Sequence, residues 1–157
     1  MKSVLKSWMK TKLKEDKNIV VLLGDMGGSV FGELIKEHND RVINVGICEQ
    51  AMVSMASGFA LAGMKPYVYT LTPFIVERAF EQIKIDIDSH NVNVKMIGYC
   101  TDCDEGLTHK DIDSKIMISL LQNVKYYNPI TKEEMSFCLD ESYNSSSPAF
   151  IKMGKNV

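Results

Sequence analysis

The sequence predicts an α/β fold built on a central, mainly parallel sheet with helices on both faces. Three observations carry that expectation. Short unbroken apolar runs such as NIVVLL at 18–23 recur along the chain and read as strands buried on both sides. Longer stretches between them space their apolar residues with a helical period. The two kinds of segment alternate from end to end, as they must when each helix carries the chain across to the next parallel strand.

The elements follow in order. Residues 3–16 place Val4, Leu5, Trp8 and Leu13 between lysines, an amphipathic helix and not a secretory leader, because the stretch has no unbroken apolar core. The run 18–23 is the first strand and ends at Gly24–Asp25. Gly27 and Gly28 loosen the following loop, and a short helix is expected at 31–38. A second β-type run, 41–45, stops at Gly46. Glu49 comes next, and then a helix of small and apolar residues over 51–63. This puts a carboxylate at a strand-to-helix corner. The run 66–71, PYVYTL, is a third strand. Pro73 then opens a helix, as proline does in a first turn. That helix is expected over 74–89, burying Phe74, Ala79, Ile83 and Ile87. A fourth strand at 92–97 leads to a polar loop, GYCTDCDEGLTH, at 98–109. Asp111 is expected to cap a helix ending near Leu121. A short strand at 124–127 stops before Pro129, and Thr131 with Glu134 forms a capping box for the next helix. The last strand is 149–153, closed by Gly154.

The composition narrows the function. The chain has 157 residues, of which 45% are hydrophobic, enough for one domain with a real core and expected here as a single domain over 1–157. A net charge of -2 with no basic stripe argues against nucleic acid as a partner. No run approaches the roughly 20 apolar residues of a membrane span. Cys48, Cys100, Cys103 and Cys138 are too few and too scattered for a disulfide framework, so a cytoplasmic setting is expected. Cys100 and Cys103 form one CxxC near His109; without a second pair it is weak grounds for zinc, and no metal site is expected on this chain. His38 and His90 look like surface residues.

In a parallel sheet, ligands gather beyond the C-terminal strand ends. The loops there hold Asp25, Glu49, residues 72–74, the 98–109 loop and Lys155. From the residues alone, Glu49 is either a first-turn glutamate facing a helix dipole or a buried acid with chemical work to do. Phe74 is either core or a stacking surface. Met26 is either a ligand contact or a gap-filler, and Asp25 is a turn residue or part of the site. Arg78 and Gln82, one and two turns beyond Phe74, either position a carboxylate of a partner chain or form surface pairs. Ser54, Ser57, Gly58 and Ala62 admit close packing against the chain's own sheet or against another subunit.

The run INVGICEQAMVSMASGFALAGMKPYVYTLTPFIVERAFEQIKIDI, continued by EGLTHKDI and PAFIKMGK, resembles the pyrimidine-binding domain of the transketolase family over about residues 18–155. The resemblance implies a three-layer α/β/α thiamine-diphosphate-binding fold. It implies Glu49 as the acid that shares a proton with the cofactor's aminopyrimidine, Phe74 as the ring stacked upon it, and Asp25, Met26 and Arg78 as further cofactor contacts. His109 matches the family's substrate-side histidine. Glu105 stands where transketolases keep an aspartate for a sugar hydroxyl, and Lys155 where an arginine often meets a substrate phosphate. Cys100 and Thr101 replace a family histidine. The sequence GDM at 24–26 is not followed by an asparagine pair, so diphosphate and Mg2+ are expected on a partner, a diphosphate-binding transketolase-like subunit in an α2β2 heterotetramer. The expected activity is transfer of a two-carbon ketol unit between sugar or sugar phosphate substrates. The alternatives are a decarboxylating, acyloin-forming enzyme acting on a 2-oxo acid and a non-catalytic assembly subunit.

Overall fold

The computed structural model describes residues 1–100 and 106–154. Six strands form one sheet in the order β2-β1-β3-β4-β6-β5. They are β1 (Ile19–Leu23), β2 (Val42–Asn44), β3 (Lys65–Leu71), β4 (Lys95–Tyr99), β5 (Lys125–Tyr127) and β6 (Ala149–Met153). Every pairing among them is parallel. Alternation along the strands splits the core in two. Ile19, Val21 and Leu23 of β1 face one layer with Tyr67 and Tyr69 of β3, whereas Val20, Leu22 and Val68 face the other. The first layer is covered by α1 (Lys2–Glu15), α2 (Gly28–Glu37) and α7 (Lys132–Asn144), through Leu5, Met9, Phe31, Leu34, Met135 and Leu139. The second is covered by α3 (Glu49–Leu61), α4 (Thr72–Val76), α5 (Phe80–Gln82), a π-helical segment (Ile83–Asp88) and α6 (Ser114–Ser119). The result is the three-layer α/β/α arrangement expected of a parallel sheet.

Several expectations need correction. The helix foreseen over 74–89 is not continuous. It breaks after Val76 into a turn, a short helix and a π segment. The i+5 hydrogen bonds Arg78 N–H to Pro73 O and Ser89 N–H to Lys84 O mark the two widened turns. The break takes up the five-residue gap between Phe74 and Ala79, so that Ala79, Ile83 and Ile87 stay buried while Phe74 is only half-buried. Asp111 is not the cap of α6. Asp113 is, accepting from the N–H groups of Lys115 and Ile116. Asp111 instead accepts from Ser114 N–H and its hydroxyl and pairs with Lys152 at 2.5 Å. His38 is half-buried rather than a surface residue, with Nδ1 3.4 Å from Arg41. Arg41 precedes β2 and is itself buried, donating to the carbonyls of Leu13, Asp16 and Ile19. It thereby closes the C-terminal end of α1, where carbonyls lack helical partners. Helix α3 starts at Glu49 itself, two residues before the expected start.

The capping box forms in part: Thr131 accepts from Glu134 N–H, while the Glu134 carboxylate reaches past the cap and accepts from Ile130 N–H, one residue before it. Among the described residues no helix is long and apolar enough to cross a membrane.

Candidate functional site

The chain leaves β1 for β2 on one side and reaches β3 on the other. The sheet order therefore reverses at β1 and β3, and a crevice opens beyond their C-terminal ends. Three loops meet there, after β1, β2 and β3. Gly24 N–H donates to Tyr69 O, which holds the first and third ends together. Asn44 joins the first and second. Its side-chain oxygen accepts from Asp25 N–H and Gly46 N–H, and its amide donates to the Asp25 carboxylate at 3.1 Å. Asp25 lies in the left-handed region at φ 53, a conformation that acidic residues tolerate better than most. Gly27, at φ 95, has no room for a side chain, since a Cβ would stand 2.9 Å from the Tyr69 ring. The sequence offered no signal for Asn44 as the brace of these loops; an asparagine at a strand end looks ordinary until its neighbours are known.

Glu49 is the first residue of α3 and is only 4% exposed. Its Oε2 lies 3.5 Å from Arg78 Nη1. Its Oε1 is buried and has no hydrogen-bond partner among the described residues. A buried acceptor without a partner is costly and calls for an explanation. Ile47, Cys48, Gln50, Ala51 and Arg78 surround it, lining a hollow of ≈ 230 Å³. That is below the ~300–1,000 Å³ of complete ligand pockets. Larger concavities lie elsewhere, between α1 and α7 and beside the π segment; neither includes Glu49.

Arg78 sits in the turn between α4 and α5. Its guanidinium covers the Phe74 ring, 3.6 Å from the centroid. Phe74 in turn meets the His109 ring edge-on at 4.9 Å. Glu49, Arg78, Phe74 and His109 thus form one continuous series of contacts drawn from three loops. His109 closes a single 3-10 turn, Leu107–His109, and its Nδ1 lies 3.1 Å from the Thr108 hydroxyl. Two contacts hold that segment against α4 and the sheet: Glu77 accepts from Ile112 N–H, and Lys152 pairs with Asp111. Thr72, at the start of α4, contacts the Cys100 sulfur at 3.3 Å. Burial pushes the Cys100 thiol pKa up, against the pull of Thr72 and Lys152.

Of the other expected site residues, Met26 packs partly buried against the first core layer. Asp25 is exposed and committed to Asn44. Gln82 keeps a buried side-chain oxygen without a partner among the described residues. Glu105 and Lys155 lie outside the described residues, as does Cys103. Among the described residues no cluster of His, Cys, Asp and Glu is arranged to hold a metal.

The family model for the transketolase pyrimidine binding domain matches residues 1–157. An apulose-4-phosphate transketolase subunit of Actinobacillus succinogenes is 31% identical over 150 residues, spanning 92% of this chain and 48% of that protein. The 1-deoxy-D-xylulose-5-phosphate synthase of Clostridium tetani is 28% identical over 149 residues, spanning 90% of this chain and 23% of that protein. Among solved structures, a split gene transketolase in an inactive β4 tetramer superposes with a TM-score of 0.87 at 24% identity, covering 98% of this chain and 51% of that one. Transketolase from Campylobacter jejuni gives 0.85 at 19% identity, covering 98% and 25%. The structural matches, at such identities, speak to the fold alone. The chain spans about half the length of the apulose-4-phosphate transketolase relative and about a quarter of the synthase.

Proposed function

This chain belongs to the transketolase pyrimidine-binding domain family, and from that premise we propose that it is the pyrimidine-binding subunit of a split transketolase-like enzyme. Family membership implies dependence on thiamine diphosphate. The proposed reaction moves a two-carbon ketol unit between sugar or sugar phosphate substrates.

The observation that carries this reading is the buried Glu49 carboxylate, whose Oε1 lacks a partner among the described residues at the edge of a site containing the Phe74 ring. An aminopyrimidine needs a flat surface to lie on and an acid at its ring nitrogen. Phe74 offers the first and Glu49 the second, so the residues present fit the group. Thiamine diphosphate, when bound, supplies a nucleophilic carbon and a sink for the electron pair released when a bond to a carbonyl carbon breaks.

The chain's own residues do the rest. Glu49 holds the shared proton on a carboxylate that is almost wholly buried. Phe74 sets the plane of the ring at small entropic cost. His109, beside Phe74, stands on the substrate side and moves protons to and from substrate oxygens. Glu105 and Lys155 are retained as contacts for a sugar hydroxyl and an anionic substrate group. Asp25 serves chiefly to hold the first two loops in place, with Met26 packed behind it.

The diphosphate and Mg2+ are assigned to a partner chain in an α2β2 heterotetramer, with 1–157 as a single pyrimidine-binding domain. A relative named as a transketolase subunit and the split-gene structural neighbour support a partnered enzyme, and the apulose-4-phosphate in the former's name supports a sugar phosphate. A second reading is favoured by the synthase relatives, which match at 28–33% identity: the same site would then form an acyloin from a 2-oxo acid with loss of CO2.

The test is turnover by the chain reconstituted with a diphosphate-binding partner. Glu49→Gln is expected to lower turnover about 10²–10⁴-fold without changing the assembly. Full activity in that variant would overturn the catalytic reading and leave an assembly subunit. Release of CO2 from a 2-oxo acid, in place of ketol transfer, would select the second reading.

A further inference from the structure

The contact of Arg78 with both Glu49 and Phe74 has the form of an occupied site. A guanidinium is flat, delocalised and rich in donors. Here it lies 3.6 Å above the Phe74 ring and points Nη1 at the Glu49 carboxylate. These are the same two demands that an aminopyrimidine makes, a stacking face and a donor edge toward the acid. We infer that Arg78 is a displaceable stand-in for the pyrimidine, a latch that closes the site until the cofactor takes its place. The inference rests on the pyrimidine-binding reading of the site.

Three features fit displacement rather than permanent bracing. The Nη1–Oε2 separation of 3.5 Å exceeds the ~2.7–2.9 Å of a tight charge-assisted bond. The Arg78 side chain is 40% exposed, against 4% for that of Glu49, so one end of the pair can leave into water. Arg78 also belongs to the turn between two short helices, and its side chain can swing without breaking either. The latch approaches only one carboxylate oxygen, and Oε1 has no partner among the described residues. A ring entering the hollow must break both arginine contacts, and binding of the pyrimidine therefore competes with Arg78. Arg78 acts as a positioning residue: it keeps Phe74 and Glu49 covered and in register before the cofactor arrives.

Arg41 and Arg78 are the two arginines of the sequence, which makes the test direct. Nitrogen-15 arginine NMR of the whole chain should show one Nε–H signal shifted by the Phe74 ring current, assigned by its loss in Arg78→Met. Arg41, fixed on three carbonyls, is the internal reference. Titration with 4-amino-5-hydroxymethyl-2-methylpyrimidine, the pyrimidine half of thiamine, should return the Arg78 signal to its solvent-exposed position and leave Arg41 unmoved. Arg78→Met should bind the same fragment about tenfold more tightly, since an ion pair exposed at its arginine end and a cation–π contact no longer compete. A merely structural role predicts equal or weaker binding. An Arg78 signal without a ring-current shift in the free chain overturns the latch. So does a titration that moves the Phe74 and Glu49 backbone signals while Arg78 stays in place, and in that case the pyrimidine reading stands. A titration that moves none of them, in the free chain and again in the chain reconstituted with its diphosphate-binding partner, overturns that reading and the latch with it.

Discussion

Replacing Glu49 by methionine should make the isolated chain more stable while destroying the site. The magnitude follows from the contacts. An unsatisfied buried acceptor costs about 1–3 kcal/mol, and among the described residues Glu49 Oε1 is one. Two favourable terms oppose it. The pair with Arg78 is exposed at one end and long, worth at most about 1 kcal/mol. The position of Glu49 in the first turn of α3 adds about 0.3–1 kcal/mol through the helix dipole. Methionine has a similar volume, fills an apolar corner without strain and removes all three terms. The expected balance is a gain of about 1 kcal/mol. For a domain of this size that raises the Tm by about 2–4 °C. Urea unfolding followed by fluorescence reports it cleanly. Trp8 is the one tryptophan of the chain; it lies against Tyr67 and Tyr143 and donates to Asp140, in a different layer from the substitution. A loss of about 1 kcal/mol or more in Glu49→Met would refute the reasoning, because it would mean that the carboxylate is well satisfied where it stands.

Other expectations test the scaffold around the site. Arg41→Met should cost about 3 kcal/mol, because three carbonyls lose a charged donor at once; a midpoint shift in urea worth under about 1 kcal/mol would rule this out. Gly98→Val should cost about 2 kcal/mol or more in the same assay, as a Cβ there would stand 2.7 Å from both the Phe150 ring and the Thr72 hydroxyl; wild-type stability would show that this contact yields freely. Lys95 is buried in β4 and donates to the carbonyls of Ser145 and Ser147, yet burial pushes its pKa from 10.5 down to about 8. Between those values the unfolded chain holds a proton that the folded chain has released, so the contribution of Lys95 to stability rises with pH across that window. Unfolding free energies at both ends of the window should show this rise in the wild type and its loss in Lys95→Met; identical pH slopes would refute the assignment.

The positions of the candidate site residues were legible because their signals are local: a β-type run, a glycine and a small-residue helix put Glu49 at a strand-to-helix corner, and Pro73 after a strand puts Phe74 at a helix start. Their roles were not, since the residues alone left Glu49 open between a first-turn glutamate and a buried acid, and Phe74 between core and stacking surface; the family resemblance implied the acid and the stacked ring. The helix break beyond Val76 left only a faint trace, the five-residue step from Phe74 to Ala79 in an otherwise four-residue rhythm. Continuous helix and broken helix bury nearly the same residues, so periodicity could not separate them. Asp111 and Asp113 are equally good caps on paper. Lys152, forty-one positions away, recruits Asp111 and leaves the cap to Asp113. The same kind of distance hides Asn44, whose role depends on the ends of two different strands lying side by side.

The sequence by itself determined the alternation of buried strands and amphipathic helices, and with it the parallel sheet, the two covering layers and the edge where the loops collect. These depend on patterns read within a single element or across one connection. Only the tertiary structure decided that Arg78 lies over Phe74 and against Glu49, that one oxygen of that glutamate has no partner among the described residues, and that His109 meets the same ring. Those relations join loops after different strands, and their geometry is set by how the sheet is ordered and how closely its helices pack. No periodicity encodes the distance between two side chains that the chain reaches by separate routes.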